Sequence, residues 1–310
     1  MLEKAKKCGG STTLAHNWFT GYNRWHQEAG IPDQTEKLLK YCIREAQGCL
    51  PDSLVEKVLR NTGRFFEWLV DFDEKEARDC FAIGRGPMGA LGIDYPDRKF
   101  ENLNCHDPAI GPGWAGTYLV RKMLQVAPTL GVEVYTQHEA VKLLTDENGA
   151  VSGVVANNPG GTVTVHAGAV VLATGGFGGS AEYCDQLVPA INEMGFQYLG
   201  NAMNTGDGMT MASAIGAALY EDPWVIPNVI MPTRTLTKAD AGFKKLCDTG
   251  MEGAATSSKM LVDATGARFV NEAAPVTALA TSMTDNQAGP YYVLFDSSNA
   301  EVVAVIEKGL

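Results

Sequence analysis

Short glycine-rich turns are the segments of this sequence whose residue types are best suited to hold a ligand. Gly9-Gly10-Ser11 follows an extended start, Leu2-Glu3-Lys4, after a few residues. An acidic side chain at the end of a strand can accept hydrogen bonds from a ribose, and a glycine pair lets the backbone approach a nucleotide cofactor. The same pattern is also typical of a surface turn, so both interpretations stay open at this point.

Two further turns have a similar composition. Residues 174–177 (Thr-Gly-Gly-Phe) follow an apolar run at 169–173, and residues 204–208 (Asn-Thr-Gly-Asp-Gly) precede a helical pattern. In doubly wound folds ligands bind at the carboxyl ends of buried parallel strands, and the first amides of a helix can meet an anion. An ordinary strand end and an ordinary helix start are the alternative interpretations.

The cysteines and histidines give no metal-binding or redox pattern. The seven cysteines are scattered without a CxxC pair, and the five histidines are dispersed. Neither a zinc site nor a cysteine-ligated iron–sulfur cluster is indicated. We interpret the cysteines as reduced, partly buried thiols and predict no metal.

Composition narrows the class of partner. The chain has 310 residues, 45% of them apolar, which suffices for two globular cores. Its net charge of −11 argues against binding to nucleic acid or to an anionic membrane, because both are polyanions. No apolar run approaches the roughly 20 residues that span a bilayer. A small-molecule partner is therefore favoured.

The elements that must position the turns follow from periodicity and turn residues. A capping box formed by Asp33 and Glu36 predicts a helix start, and apolar spacing predicts helices near residues 38–43, 54–69, 117–130 and 209–217. Alternation and turn signals predict strands at 132–136, 140–145, 151–156, 162–166, 260–263 and 291–296, and a central parallel strand, buried on both faces, at 169–173. Residues 84–113 are predicted to form a long loop, because glycine, proline and aspartate interrupt every pattern there.

Taken in order, the anchor segments resemble the flavoproteins of the fumarate reductase and succinate dehydrogenase family, also described as the FAD-dependent oxidoreductase 2 family. The resemblance covers nearly the whole chain and rests on residues 2–4, 9–11, 139–141, 172–177, 204–208 and 266–272. It implies an α/β fold: a Rossmann-like FAD-binding domain of the glutathione reductase type with a β-meander insertion, over residues 1–227, followed by a partial α+β capping domain over residues 228–310.

The resemblance also implies what lies beyond the two ends. A GxGxxG turn is expected roughly twenty residues before Leu2, as in other dinucleotide-binding units, and a closing segment is expected after Leu310. By this interpretation Met1 is internal to a longer protein. The compartment then stays open between cytoplasm and export.

By the same resemblance, FAD is the expected cofactor and particular residues would contact it. Glu3 would hold the adenosine ribose, and Ala140 would meet the adenine. The remaining predicted contacts lie in the glycine turns: Gly10, Ser11, Thr12, Ala173, Thr174, Gly175, Thr205, Gly206 and Asp207.

The sequence departs from the family pattern where the substrate is bound and protonated. Residues 273–277 (Ala-Ala-Pro-Val-Thr) carry no arginine, residues 227–229 (Pro-Asn-Val) carry no histidine, and Ala255 replaces an arginine after Glu252. Near the flavin, Asn17-Trp18 replaces a glycine pair. The candidate proton donors left in the chain are Tyr292, Arg234, Glu252, Tyr291 and Tyr22.

The expected function is FAD-dependent hydride transfer to an activated carbon–carbon double bond, with a substrate other than fumarate and with an electron donor that the sequence does not identify. Two alternatives are kept. One is a desaturation similar to that of 3-ketosteroid dehydrogenases, with a tyrosine in the proton-transfer role. The other is a flavin-binding protein without catalysis, which the missing arginine permits.

Overall fold

A computed structural model of the chain describes residues 1–15, 21–46, 48, 50–85, 101–105, 115–189, 198, 200–219, 259–271, 282 and 292–298. Its α-helices are α1 Arg24–Glu28, α2 Thr35–Ala46, α3 Asp52–Val70, α4 Glu74–Cys80, α5 Ala115–Val126, α6 Ala181–Leu187 and α7 Asp207–Ser213. Its strands are β1 Leu2–Glu3, β2 Phe81–Arg85, β3 Glu101–Cys105, β4 Tyr135–Thr136, β5 Glu139–Thr145, β6 Val151–Asn158, β7 Gly161–His166, β8 Lys259–Val262 and β9 Tyr292–Phe295. Short 3-10 helices cover Gly10–Leu14 and Ala127–Leu130.

The chain divides into two compact units. The first unit comprises Met1–Leu14, Thr117–Asn192 and Tyr198–Pro223. The second unit comprises Ala15–Gly116, Glu193–Gln197 and Trp224–Leu310. The predicted domain assignment, residues 1–227 and 228–310, stays a prediction.

The first unit begins with a short parallel pair. Strand β1 lies beside β4, with Leu2 opposite Tyr135 and Glu3 opposite Thr136. The backbone continues the pairing past the strands, since His138 N donates to the carbonyl of Glu3 at 2.9 Å. A parallel pair needs a long crossover, and helix α5 lies within it, which is the βαβ arrangement of an α/β fold.

An antiparallel sheet follows directly. Strands β5, β6 and β7 are neighbours in that order, as the predicted meander requires. The turn between β5 and β6 is closed by Asp146, whose Oδ1 accepts hydrogen bonds from the amides of Asn148 and Ala150, both at 2.9 Å. Such Asx contacts explain why aspartate and asparagine mark the turns of this meander.

The prediction of a buried central strand at residues 169–173 is wrong. The segment has no strand partner among the described residues, and Val171 and Leu172 are 88% and 40% exposed. An apolar composition indicates that a segment tends to be buried. A strand also needs a neighbouring strand to pair its amides and carbonyls, and the hydropathy of a segment does not predict that neighbour.

Helices α1 to α4 build the apolar core of the second unit. Phe66 of α3 is fully buried, and its ring meets the rings of Trp25 and Phe81 edge to face at 5.0 and 6.5 Å. Leu38 and Leu39 of α2 pack with Leu59 of α3. Helices α2 and α3 therefore each bury one apolar face, as the helical spacing of their sequences predicts, whereas α1 and α4 were not predicted.

The start of α2 follows its predicted cap only in part. Asp33 Oδ1 accepts hydrogen bonds from Thr35 N and Oγ1, at 2.8 and 2.6 Å. Glu36, the other half of the predicted capping box, instead pairs with Arg60 of α3 at 2.8 Å. A salt bridge to a neighbouring helix competes with the reciprocal cap for the same carboxylate.

The predicted loop at residues 84–113 is corrected at residues 84–85 and 101–105, which belong to strands. Strands β2 and β3 pair antiparallel, with Ile83 opposite Leu103, and the residues between them and after β3 lie outside the described part of the chain. The predicted strands at 260–263 and 291–296 are confirmed as β8 and β9, an antiparallel pair.

Within the described residues, no helix is both long and apolar enough for a membrane span.

Candidate cofactor site

The three glycine-rich turns predicted from the sequence lie together in the first unit. Ser11 Oγ accepts hydrogen bonds from Asn204 Nδ2 at 2.9 Å and from Asn201 N at 3.2 Å, which joins the first turn to the third. Gly206 N donates to the carbonyl of Gly176 at 3.1 Å, which joins the third turn to the second. Segments almost 200 positions apart thus form one surface.

Two glycines in this surface lie where the backbone conformation would strain any other residue. Gly175 has a φ of +75°, and a Cβ built on it would lie 2.6 Å from Asn204 Oδ1. Gly10 has a φ of +50° and open space in front, since the nearest atom to such a Cβ is Asn201 Nδ2 at 3.8 Å. Glycine adopts these left-handed conformations without strain and keeps the backbone accessible.

This surface fits a dinucleotide. Gly10 and the exposed Gly176 both present backbone without a side chain, and a Cβ on Gly176 would meet nothing within 4 Å. The first amides of the 3-10 helix Gly10–Leu14 have no acceptor inside that helix. Bare backbone with free amides suits close contact with phosphate and sugar oxygens.

Glu3 lies at the end of β1, where a ribose-binding carboxylate is expected. Its Oε1 accepts a hydrogen bond from Ala5 N at 2.8 Å, so the carboxylate is held in place by its own loop. Within the described residues, Oε2 has no hydrogen-bond partner. The half-buried carboxylate therefore keeps one oxygen available to a ribose hydroxyl.

Lys4 is a member of this site that the sequence analysis did not select. Its Nζ donates to Thr205 Oγ1 at 2.7 Å and to Asp207 Oδ2 at 2.6 Å, and Thr205 Oγ1 donates to Asp207 Oδ1 at 2.6 Å. The Lys4 and Asp207 side chains are only 17% and 24% exposed. The predicted cofactor residues Thr205 and Asp207 therefore use their side chains to tie the third turn to β1.

The other predicted cofactor residues are placed around these turns with different exposure. Thr12, Ala173 and Thr174 are exposed, whereas Gly206 is buried. Ala140 is half-buried in β5, opposite Ala156. Their contacts with FAD stay predictions.

Cys8, between Glu3 and the glycine pair, has an unreactive thiol. Burial, and then the negative charge of Glu3, raise the pKa of its thiol. Burial, and then Asp185, raise the pKa of the Cys184 thiol in the same way. Both are free thiols that stay protonated at neutral pH, so neither is a ready nucleophile. Across the described residues, no group of three or more potential ligands could hold a metal ion.

The predicted proton donors are only partly described. Tyr292 lies in β9 and is 52% exposed, and Tyr22 lies 5.9 Å from His26, ring to ring. Arg234, Glu252 and Tyr291 lie outside the described residues, as do residues 17–18, 227–229 and 273–277. All catalytic assignments stay predictions.

Comparison with known proteins identifies the family. The family described as "FAD binding domain" matches residues 1–306. The chain is 23% identical over 313 residues to a fumarate reductase (cytochrome) of Shewanella frigidimarina, covering 99% of this chain and 49% of that protein. It is 25% identical over 305 residues to a urocanate reductase of Eggerthella lenta, covering 97% and 46%.

Structural comparison agrees on the fold. The crystal structure of a 3-ketosteroid-Δ4-(5α)-dehydrogenase from Rhodococcus jostii RHA1 superposes with a TM-score of 0.69 at 19% identity, covering 99% of this chain and 62% of that one. The chain spans about half the length of the curated relatives it matches. The α/β FAD-binding fold predicted from the sequence is confirmed, and the chain belongs to the FAD binding domain family, whose cofactor is FAD.

Proposed function

We propose that the protein is an FAD-dependent oxidoreductase that transfers a hydride to a carbon–carbon double bond next to an electron-withdrawing group. The convergence of three glycine turns beside Glu3 at the end of β1 supports this proposal most directly. Two relatives are named as reductases of fumarate and of urocanate, and both of those substrates are alkenes conjugated to a carboxylate. The proposal takes the class of reaction from them and not the substrate.

In this proposal the first unit binds and orients the cofactor. Glu3 Oε2 accepts a hydrogen bond from the adenosine ribose, and Ala140 lies against the adenine. The backbone of Gly10, Ser11 and Thr12 follows the dinucleotide, with Ala173, Thr174 and Gly175 on its other side. The third turn, Thr205, Gly206 and Asp207, borders the approach to the flavin. FAD supplies the hydride chemistry when bound.

Fumarate itself is not the proposed substrate. Residues 273–277 offer no titratable side chain where the family has its proton-donating arginine, and residues 227–229 offer no histidine to bind a dicarboxylate. A general acid contributes about 10²- to 10⁴-fold in rate, so its loss would be plain in a fumarate assay. An alkene with one electron-withdrawing group, protonated by another side chain such as Tyr292, Arg234 or Glu252, fits better.

A substrate panel tests the proposal. The purified holoprotein would be mixed with a chemically reduced viologen dye, and dye oxidation would be followed with fumarate, urocanate and a series of enoates and enones. We expect turnover with at least one of the conjugated alkenes and none above background with fumarate. Efficient fumarate reduction would contradict the choice of substrate class.

The same preparation tests the two alternatives. Oxidation of a 3-ketosteroid with a saturated A ring by a dye acceptor, in the absence of alkene reduction, would instead favour the desaturase. Stoichiometric FAD without turnover in either direction would favour a flavin-binding protein that lacks catalysis.

A further inference from the structure

We infer that Asn204 is a positioning residue that sets the Ser11 hydroxyl as a hydrogen-bond donor toward an oxygen of the bound FAD. The inference rests on the proposed cofactor role of the first unit and adds to it a residue that would act through Ser11. The substrate is not involved, so the inference can be tested whether or not an alkene is reduced.

Asn204 makes hydrogen bonds through both its side chain and its backbone. Its Nδ2 donates to Ser11 Oγ at 2.9 Å and to the Tyr198 hydroxyl at 3.0 Å. Its backbone amide donates to the Asn201 carbonyl, and its own carbonyl accepts from Gly179 N, both at 2.9 Å. The Nδ2 group therefore donates to both Ser11 and Tyr198, and two hydrogen bonds fix the backbone of Asn204.

Ser11 receives two donors, and this decides where its own hydrogen can go. A serine hydroxyl has two acceptor positions and one donor hydrogen. The amide of Asn201 and Nδ2 of Asn204 occupy both acceptor positions, at 3.2 and 2.9 Å. Within the described residues, the hydroxyl hydrogen has no acceptor. It remains to donate to a ligand, and a dinucleotide presents phosphate and sugar oxygens as acceptors.

The position of Ser11 matches that role. It follows Gly10, the glycine with open space in front, and is the second residue of the 3-10 helix Gly10–Leu14. A hydroxyl whose hydrogen has no acceptor in the described part of the chain can donate to an anionic oxygen of a ligand. The hydrogen bond from Asn204 holds the Ser11 hydroxyl in the orientation that leaves its hydrogen available to the ligand.

A single-atom substitution separates this role from simple packing. In Asn204→Asp the side chain keeps its shape and keeps an oxygen beside Gly175, but it loses the donor Nδ2. The Ser11 hydroxyl then donates to the new carboxylate and turns its hydrogen away from the cofactor. The Tyr198 contact survives, because a tyrosine hydroxyl donates as readily as it accepts.

Asn201→Asp is the matched control. It introduces the same charge three positions before Asn204, and its Oδ1 still accepts from Met203 N, as it does now at 2.8 Å. Asn201 reaches Ser11 through its backbone amide, which the substitution leaves in place. Any effect of charge alone is therefore shared by the two variants, whereas loss of the donor occurs only in Asn204→Asp.

The measurement is the dissociation constant of FAD, obtained by titrating apoprotein and following the quenching of FAD fluorescence at fixed ionic strength. A hydrogen bond to a charged oxygen is worth about 10- to 100-fold in affinity. We expect Asn204→Asp and Ser11→Ala each to weaken FAD binding by about that factor, and Ser11→Thr, which keeps the hydroxyl, to bind within a few-fold of the original protein. In the Ser11→Ala background, Asn204→Asp should add no more than Asn201→Asp does.

Three outcomes would overturn the inference. They are unchanged affinity in Asn204→Asp, equal losses in Asn204→Asp and Asn201→Asp, and additive losses in the Ser11→Ala/Asn204→Asp double variant. Should Asn204→Asp not fold, the Ser11→Ala variant alone decides the question. Unchanged FAD affinity in Ser11→Ala would show that the Ser11 hydroxyl does not donate to FAD, and Asn204 would then have no donor to position. Alkene reduction without these affinity changes would leave the proposed function standing and the Asn204 role refuted. Failure of the original apoprotein to bind FAD would refute both.

Discussion

Different kinds of contact hold together two regions of the molecule. One is the turn cluster of the first unit, made of Lys4 and the glycine-rich turns at residues 9–11, 174–177 and 204–208, and the other is the helical core of the second unit. In the turn cluster, Ser11 bonds Asn204 across 193 positions of sequence, and Lys4 bonds Asp207 across 203. In the helical core, the buried Phe66 packs against Trp25 and Phe81, whereas the charged contacts lie at the surface. Polar contacts organise one region, and apolar burial organises the other.

The difference separates binding from stability. Hydrogen bonds are directional and contribute little net free energy each, so a few of them can fix the geometry of the turns without contributing much to folding. Burial of large apolar side chains has no direction but contributes most of the free energy of folding. We therefore expect substitutions in the glycine turns to change cofactor affinity, and substitutions in the helical core to change stability. The exception is the Lys4–Asp207 ion pair, whose loss leaves a largely covered charge unpaired and so affects stability as well.

The largest expected effect is on the helical core. Phe66→Ala removes a fully buried ring from between Trp25 and Phe81, and it should lower the free energy of unfolding by about 3 to 5 kcal/mol. Urea unfolding followed by tryptophan fluorescence measures this. Phe65→Ala, one position away and 39% exposed, is the control and should cost far less. Equal losses in the two variants would contradict the burial pattern of α3.

Glu3→Ala tests the other side of the comparison. Removing the carboxylate that is expected to hold the ribose should weaken FAD binding by about 10- to 100-fold, because a hydrogen bond to a charged group contributes about 1.5 to 3 kcal/mol. The FAD content of the purified holoprotein and an FAD titration of the apoprotein would both report it. Glu139→Ala, an exposed carboxylate at the start of β5, should leave the affinity unchanged. Full flavination of Glu3→Ala at normal affinity would refute the assignment.

Lys4→Met sharpens the comparison within the turn cluster. The variant leaves the Asp207 carboxylate without its ammonium partner in a largely covered position, and should lower the free energy of unfolding by about 1 to 3 kcal/mol. Lys4→Met/Asp207→Asn should recover part of that loss, since no unpaired charge remains. A cycle of the two single variants and the double variant measures the coupling. Strictly additive losses would show that the pair contributes nothing.

The smallest effect is expected at the start of α2. Hydrogen bonds from the Thr35 hydroxyl and then the Thr35 amide lower the pKa of Asp33. The carboxylate therefore adds stability above the ordinary pKa of an aspartate, and this stability is lost as the pH falls through the lowered value in the folded protein. Asp33→Ala should cost about 0.5 to 1 kcal/mol at neutral pH. Asp33→Asn should keep most of the cap and lose its pH dependence below pH 4, which acid unfolding curves would test.

Local signals in the sequence predict most of this architecture. Periodicity and turn residues predict α2, α3, α5 and the β5–β6–β7 meander, because each depends on neighbours in sequence. The glycine turns were predicted for the same reason. The role of Glu3 came from the family resemblance, because a carboxylate before a glycine pair is by itself also typical of a surface turn.

Contacts between distant segments were not predicted. The roles of Lys4 and Asn204 were not predicted, because the residues that they contact lie about two hundred positions away and no local sequence pattern indicates those contacts. The misassigned strand at residues 169–173 has the same origin: its composition is local, whereas its pairing would be distant. Strands β2 and β3 were missed because fifteen intervening residues, rich in glycine and proline, dominate the local signal.

The exposed run at residues 169–173 bears on how the protein behaves at high concentration. Val171 is 88% exposed, and the backbone around it has no ladder partner among the described residues. An exposed segment with apolar side chains and unpaired backbone amides and carbonyls is a template on which strands of other molecules can add. We expect attraction between molecules that grows with concentration and with salt, because salt screens the repulsion of a chain whose net charge is −11. The protein should therefore be kept dilute and at low ionic strength, and light scattering against concentration would show whether Val171→Lys removes the attraction.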